Sequence, residues 1–347
     1  MAEQKISLKE LNTLELERKH ISTAGKVLQR ILTALPIVAG LLHLIEYMFI
    51  PNKGMNTCTA TYAYILIFFI GVWAVLYIIS FFNFALYKKI NHDAPLYAVI
   101  FLLLAAYDYA TLKTGKLLMP YFPWVDKIIN SVINDRVKLL DSAYHSLKLL
   151  FTGYFGGVIA GFICGIGAGW SSKIRYWVNP FVKILGAIPT TTYMPIIMIL
   201  ASSLFGGSAF LIGLGVWFPV TVSSLTGVSN INSHYYEVAR TLGTSKIGIL
   251  FRVVIPAAMP TVFGGLTQGM SVACITLMAA EMMGVESGLG WYINWQKGWA
   301  EFSKMYGAII IICIIFVLVN TLLGVIKGYV LRWQKGANSW WEKDILR

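Results

Sequence analysis

Eight apolar segments, most of them near or above twenty residues, constrain this chain more than any other feature. An α-helix needs about 20 apolar residues to cross the hydrocarbon core of a bilayer. The sequence is 57% hydrophobic and 13% charged, whereas a soluble domain carries about 25% charged residues. We therefore predict an all-α, polytopic membrane protein with about eight spans. The apolar segments cover residues 29–50, 61–87, 94–112, 143–169, 183–203, 208–228, 256–283 and 306–331.

The basic residues predict the orientation of these spans. The formal net charge is +12, but Lys and Arg lie between the apolar segments and form no single basic patch, so nucleic acid is not an expected partner. With eight spans and a cytoplasmic N-terminus, 19 of the 28 Lys and Arg residues fall on the cytoplasmic side and 9 on the outer side. Cytoplasmic loops are enriched in Lys and Arg. We therefore predict that both termini are cytoplasmic.

A polar loop over residues 229–255 falls on the same predicted cytoplasmic side. It contains the run Glu237 to Gly243, with the sequence EVARTLG, and ends in VVIP at Pro256. Residues 234–242 are compatible with a helix, Gly243 fits a C-terminal stop, and Pro256 fits the start of the next helix. An ordinary interhelical loop that happens to contain Glu and Gly is the alternative interpretation.

The spacing in this loop resembles the E-A-A-x3-G-x9-I-x-L-P pattern of the EAA loop in ABC importer permeases. Glu237, Ala239, Gly243 and Pro256 stand at matching positions, and the departures are conservative. The resemblance implies a short cytoplasmic helix that docks on an ATPase subunit. It assigns ATPase coupling to Glu237, Ala239, Arg240, Leu242, Gly243 and Pro256.

Further motifs are similar to the nitrate/sulfonate/taurine branch of these permeases, over about residues 117–335. They include AAEMMG at 279–284, SGLG at 287–290 and Ile188-Pro189. The resemblance implies a type I ABC importer transmembrane fold, which usually has about six spans. Two spans at the N-terminus are therefore additional. We predict an N-terminal part over 1–93 with a polar first helix, a transport domain over 94–335, and a cytoplasmic tail over 336–347.

The same resemblance implies a function. The chain is expected to be the permease subunit of an ATP-driven importer in a bacterial inner membrane, carrying a small organic or inorganic oxyanion such as nitrate, a sulfonate, taurine or a bicarbonate-like ion. The expected partners are membrane lipid, two cytoplasmic ABC ATPases, a second permease copy or paralogue, and an extracytoplasmic substrate-binding protein. The chain lacks G-x-x-x-x-G-K-[ST], so ATP and Mg²⁺ are expected on the ATPases, and we predict a transport subunit, not an enzyme.

Two alternatives stay open from the sequence. One is the same importer class with a pyrimidine precursor of thiamine as substrate. The other is a stand-alone secondary transporter or channel. Secondary transporters often contain two similar halves, and this sequence has no convincing internal repeat.

A set of polar and helix-breaking residues is predicted to line the translocation path. Two prolines interrupt segment 183–203, and backbone groups freed by proline need a cavity or neighbouring helices. Hydroxyl and amide groups in the seventh segment add partners without full charge. The set is Pro189, Thr190, Thr191, Thr192, Pro195, Gln268, Ser271 and Glu281. A structural kink away from the path is the alternative for the proline pair.

Segment 152–170 contains glycines at four-residue intervals. They are Gly153, Gly157, Gly161, Gly165 and Gly169. Small residues at this spacing allow helix backbones to approach closely. The pattern predicts either a helix that slides at the translocation interface or tight packing within the subunit.

Ionisable residues within spans are functional hypotheses, because a charge in hydrocarbon is costly. His43 and Glu46 lie three residues apart in the first segment, and Asp108 lies late in the third. For Glu46 and Asp108, an interfacial position that reaches water is an equal alternative. Glu281, which ranks first, is expected to brace the junction with the outer loop by accepting backbone N–H bonds. The four cysteines and five histidines have no metal-type spacing, so neither a metal site nor a disulfide is predicted.

Overall fold

A computed structural model describes residues 23–54 and 56–333. Within these residues every regular element is helical, which confirms the predicted all-α class. Residues 1–22 of the predicted polar helix and the predicted tail at 336–347 lie outside the described residues. Contacts divide the chain into two compact units, with the boundary between Asn130 and Ser131.

The N-terminal unit contains three helices that are long and apolar enough to cross a membrane. The third helix packs extensively on the first, so contacts group it with the helices before it. The sequence-based boundary after residue 93 lies inside this third helix. The helices are α1 (Thr23–Phe49), α2 (Ala60–Ile79), α3 (Phe84–Asp108), extended by a π-helical turn (Tyr109–Lys113), and α4 (Val125–Asn134), which runs across the unit boundary.

Close packing and one buried carboxylate hold the N-terminal unit together. A Cβ at Gly40 on α1 would lie 2.7 Å from Ile70 Cγ1 on α2, so a larger residue would force the Ile70 side chain to shift. The carboxylate of Asp126 accepts hydrogen bonds from the backbone N–H and the hydroxyl of Thr59, at 2.8 and 2.7 Å. Because Thr59 is the N-cap of α2, Asp126 ties α4 to the start of that helix.

The second unit contains nine α-helices among its described residues. Four stretches are long and apolar enough to be spans, and α10 runs through a π-helical turn (Leu250–Val254) directly into α11. The helices are α5 (Arg136–Trp170), α6 (Ser172–Ala187), α7 (Met194–Leu200), α8 (Leu204–Ser229), α9 (Ser233–Thr241), α10 (Lys246–Ile249), α11 (Ile255–Met283), α12 (Leu289–Gly298) and α13 (Phe302–Val330).

The glycine ladder of α5 packs along α8 of the same chain. A Cβ at Gly153 would lie 2.6 Å from Ile212 Cβ, and one at Gly169 would lie 2.5 Å from Val228 Cβ. The interpretation of tight packing within the subunit therefore accounts for the ladder. Each of the five glycines faces the residue 59 positions after it: Ile212, Val216, Val220, Ser224 and Val228.

The contacts of the glycine ladder also show the relative direction of α5 and α8. Residue numbers rise together along both partners, so α5 and α8 run parallel. The connection between them must therefore cross back. That connection is α6, a 3₁₀ turn (Thr190–Tyr193) and α7, with a bend of 92° at the break after Ala187. The bent pair is thus the candidate for an eighth span, at the segment where prolines predicted a broken helix.

Candidate functional site

The predicted docking helix is α9, and its ends are defined by ordinary capping chemistry. The side chain of Asn232 accepts a hydrogen bond from the backbone N–H of His234 at 3.0 Å. At the other end Gly243 adopts φ +71°, a left-handed conformation that costs glycine little. Its N–H donates to Arg240 O at 2.9 Å, and Thr244 N–H donates to Ala239 O at 3.0 Å. The predicted helix and its glycine stop are confirmed.

Helix α9 presents apolar side chains outward. Leu242 is 77% exposed, and Tyr235 and Val238 are also exposed. These residues line a groove of about 510 Å³. Of the residues assigned to coupling, Glu237 and Arg240 are exposed beside Leu242 and Gly243, whereas Ala239 is buried. An exposed apolar face rimmed by polar residues is typical of a protein-interaction surface.

Ala239 is the buried residue of α9 and belongs to a cluster that includes residues of three long helices. The cluster contains Ile166 of α5, Val228 of α8, and residues of the α10–α11 segment. The members from that segment are Ile249, Val254, Ala258 and Val262. Pro256 lies in the first turn of α11, as the sequence predicted. Helix α9 itself packs on α10 and on the π-helical turn, and this cluster continues to the three long helices.

Arg175, at the start of α6, joins the C-terminal ends of two of the same helices. Its Nε donates to Ala168 O at 2.9 Å, and one terminal nitrogen donates to Gly169 O at 3.2 Å and to Ser229 Oγ at 3.1 Å. Carbonyls at a helix C-terminus lack partners within the helix and favour a nearby cation. In the sequence, Arg175 is only one of the basic residues that predict the orientation, and nothing in its spacing indicates this contact.

The predicted path residues lie on the bent segment and on α11, and one contact joins the two groups. Thr190 Oγ1 lies 3.4 Å from Thr276 Oγ1. Thr191 is half-buried, and Pro189, Thr192 and Pro195 are exposed. Gln268 and Ser271 are exposed on α11, where the Ser271 hydroxyl donates to Thr267 O at 3.4 Å.

Glu281 braces the end of α11 against α12. Its side chain is buried, and Oε2 accepts a hydrogen bond from Gly290 N–H at 2.8 Å, which confirms the expected bond to a backbone donor. Gly288 adopts φ +128°, and a Cβ there would collide with the Glu281 carboxylate. The Ser-Gly-Leu-Gly motif thus provides the space that this carboxylate occupies.

A second polar contact holds α12 in place, and no sequence pattern predicted it. The Tyr292 hydroxyl donates to Asp135 Oδ2 at 2.7 Å, and Lys304 Nζ lies 3.5 Å from the same oxygen. Burial and the bond to Asp135 raise the pKa of Tyr292, so its hydroxyl remains a donor at neutral pH. The residues are separated by 157 positions, so spacing could not have paired them.

A family model described as binding-protein-dependent transport system inner membrane component matches residues 157–336, just over half of the chain. The chain belongs to this family. The matched region begins within α5, so helices α1–α4 precede it. The predicted resemblance to the nitrate/sulfonate/taurine branch is confirmed, at modest sequence identity.

Individual permease proteins are also similar to this chain. The taurine transport system permease protein of Escherichia coli (strain K12) is 28% identical over 54% of this chain and 68% of its own length. The nitrate import permease protein of Leptolyngbya laminosa is 28% identical over 53% of this chain and 65% of its own length. The matches therefore span about two thirds of these relatives. A chain of the MetNI methionine ABC transporter aligns with a TM-score of 0.48 and 18% identity, over 57% of this chain and 98% of its own.

Proposed function

We propose that this chain is the membrane-spanning permease subunit of an ATP-driven importer for a small oxyanion. The observation that carries the proposal is α9, a short helix with an exposed apolar face, whose Ala239 belongs to a buried cluster that includes residues of α5, α8 and α11. Family membership supports the same assignment. A protein that docks on α9 would act on the long helices through this shared cluster and through the chain that leads into α11.

Helix α9 is connected to the long helices both through the polypeptide chain and through side-chain contacts. Helix α9 leads through Thr244 into α10, and from there the helix continues to Met283 at the far end of α11. The Arg175 contacts keep the ends of α5 and α8 together beside it. When ATP closes two ATPase subunits, displacement of α9 is expected to move this group of helix ends and to switch access to the path.

The orientation follows from charge. An importer of this kind needs α9 in the cytoplasm, where the ATPases hold ATP and Mg²⁺. Eight candidate spans and the excess of Lys and Arg on that side support this orientation, with both termini cytoplasmic. An extracytoplasmic binding protein would deliver the solute, and a second permease copy or a paralogue would complete the path.

The substrate class rests on the relatives and on the polar groups of the bent segment. The names of two relatives specify taurine, a sulfonate, and nitrate. Both solutes are small and carry an anionic oxygen group. The hydroxyls of Thr190 to Thr192 and the backbone groups at the break would offer such an anion hydrogen bonds without a fixed charge.

A charge reversal on α9 tests the coupling role. We expect Glu237→Lys to weaken association with the ATPase encoded nearest to this gene by at least about tenfold, which corresponds to ~1.4 kcal/mol. The control is Asp141→Lys on α5, because both carboxylates are 66% exposed and each pairs with a histidine on its own helix. Association is measured by pull-down of co-expressed subunits, and stimulated ATP hydrolysis by the reconstituted complex.

Equal association for both variants would contradict the docking role of α9. Uptake of radiolabelled taurine and nitrate by proteoliposomes tests the substrate class separately. Normal ATPase coupling without uptake of either anion would leave the permease assignment intact and exclude taurine and nitrate as substrates.

A further inference from the structure

A cluster of three metal-ligating side chains lies inside the N-terminal unit. His43 and Glu46 are on α1, and Asp108 is at the end of α3. One ligand atom from each side chain lies within 4.8 Å of the others. Sequence spacing suggested only the first pair, because Asp108 joins it through the packing of α3 on α1.

These side chains are buried and their polar atoms lack partners. His43 and Asp108 are completely buried, and the Glu46 side chain is 14% exposed. Among the described residues, His43 Nδ1, both oxygens of Glu46 and both oxygens of Asp108 have no hydrogen bond of standard geometry, although the Val125 backbone N–H lies close to the Asp108 carboxylate. Five buried polar atoms without a well-formed hydrogen bond are costly, because native proteins satisfy nearly all such atoms. A bound species would satisfy them together.

The neighbouring polar groups are already engaged. Lys113 Nζ donates to Tyr47 O and Ile50 O, both at 2.7 Å, and to Asn52 Oδ1 at 2.9 Å, so its three donors serve the end of α1. Asp126 is bonded to Thr59. Two carboxylates therefore face one ammonium group that donates to neither of them, and the cluster has a deficit of positive charge.

We propose that His43, Glu46 and Asp108 bind one divalent transition-metal ion that joins α1 to α3. One imidazole and two carboxylates suit first-row divalent ions better than Mg²⁺ or Ca²⁺, which prefer oxygen ligands only. Two carboxylates and a neutral imidazole around a divalent ion form a neutral set, which lowers the cost of the site within a span. Three protein ligands leave a further position for water.

The geometry requires only local adjustment. Ligands about 2.1 Å from a tetrahedral ion lie about 3.4 Å apart, so the side chains would move inward by roughly 1 Å from their present separation. The Tyr62 hydroxyl lies 3.4 Å from His43 Nε2 and can donate to it or accept from it. If Nδ1, which has no other partner in the described part of the chain, binds the ion, Nε2 keeps its contact with Tyr62, and a metal-bound histidine commonly has such a partner on its other ring nitrogen.

The test is metal content of the purified full chain. The protein carries an affinity tag without histidine, is stripped with EDTA, exposed separately to Zn²⁺, Mn²⁺ and Co²⁺, and passed through a desalting column. We expect the unsubstituted chain to retain about one ion, as a three-ligand site should. Asp108→Asn and His43→Gln should lose it, and bound Co²⁺ should show a visible absorption band that both variants lack.

His92→Gln is the matched control, because the His92 side chain is 89% exposed and lies outside the cluster. Retention of one ion by this control together with loss in the cluster variants supports the site. Equal retention in all variants would mean adventitious surface binding and overturns the proposal. If Asp108→Asn does not insert, Glu46→Gln and His43→Gln decide the question.

A different species could satisfy the cluster if the chain binds no metal, namely a proton shared by Glu46 and Asp108. If the intact chain binds none of the three ions, infrared spectroscopy can show whether Glu46 and Asp108 share a proton. A carboxylic acid band that disappears in Asp108→Asn and is unaffected by added metal would replace the metal site with an acid pair. That outcome overturns the proposal without bearing on the transport function.

Discussion

A methyl group added at Gly157 tests the packing of α5 on α8. The new Cβ would collide with the carbonyl oxygen of Gly213 and lie 2.8 Å from Val216 Cβ. Neither neighbour can escape by changing a rotamer, since one is backbone and the other is a Cβ atom. A Cβ at the adjacent Gly156 would have no neighbouring atom within 4 Å, so Gly156→Ala is a matched control on the same helix.

The expected magnitude follows from the difference between the two variants. Alanine is favoured over glycine in a helix by about 0.8–1 kcal/mol, and this gain applies to both positions. Overpacking a well-packed contact costs about 1–3 kcal/mol. Gly157→Ala should therefore be about 1–3 kcal/mol less stable than Gly156→Ala, because the propensity gain cancels in the comparison.

Unfolding of the purified chain in mixed micelles of dodecyl sulfate and a mild detergent provides the assay, with circular dichroism as the signal. The free energies of unfolding of the two variants are compared at one micelle composition. A difference below about 0.5 kcal/mol, which is the usual range for surface substitutions, would refute the packing argument.

Three further predictions address the path and the two units. In a cysteine-free chain, Thr191→Cys and Ser271→Cys should react with a water-soluble thiol reagent to an extent that changes with ATP and substrate; protection in every state would exclude both from the path. Asp126→Ala should lower the free energy of unfolding by about 1–2 kcal/mol through loss of the Thr59 contacts, as measured by denaturation, and an unchanged value would refute this role. Gly288→Ala should cost about 1–3 kcal/mol through backbone strain and collision with a carboxylate, whereas Gly298→Ala, in open space, should not; equal thermal midpoints would contradict the brace.

Local signals in the sequence predicted the elements well. Length and hydropathy predicted the long helices, the prolines predicted the break before α7, and the position of Gly243 predicted the end of α9. Each of these predictions depends on a few consecutive residues and on either the thickness of the bilayer or the allowed conformations of the backbone. Such effects are encoded locally, so they can be read without knowing which helices are neighbours.

Contacts between segments that are distant in the sequence could not be predicted from such local signals. The ladder on α5 predicted close packing but left its partner open, and the parallel direction of α8 became known only from the contacts. Asp108 joined His43 and Glu46 because α3 packs on α1. That packing also explains why contacts place α3 with the N-terminal unit, although residue 93 had served as the predicted boundary.

The constant offset between α5 and α8 restricts how the two helices can shift along each other. Both partners repeat every four residues, which corresponds to about 6 Å along a helix axis. A smaller displacement would move the facing side chains of α8 out of register with the glycines at five places simultaneously. A full step would restore the match but would leave one glycine at the end without its partner. Axial sliding is thus limited to discrete steps, and the two helices are expected to travel as one body while the flexing occurs at the breaks beside them.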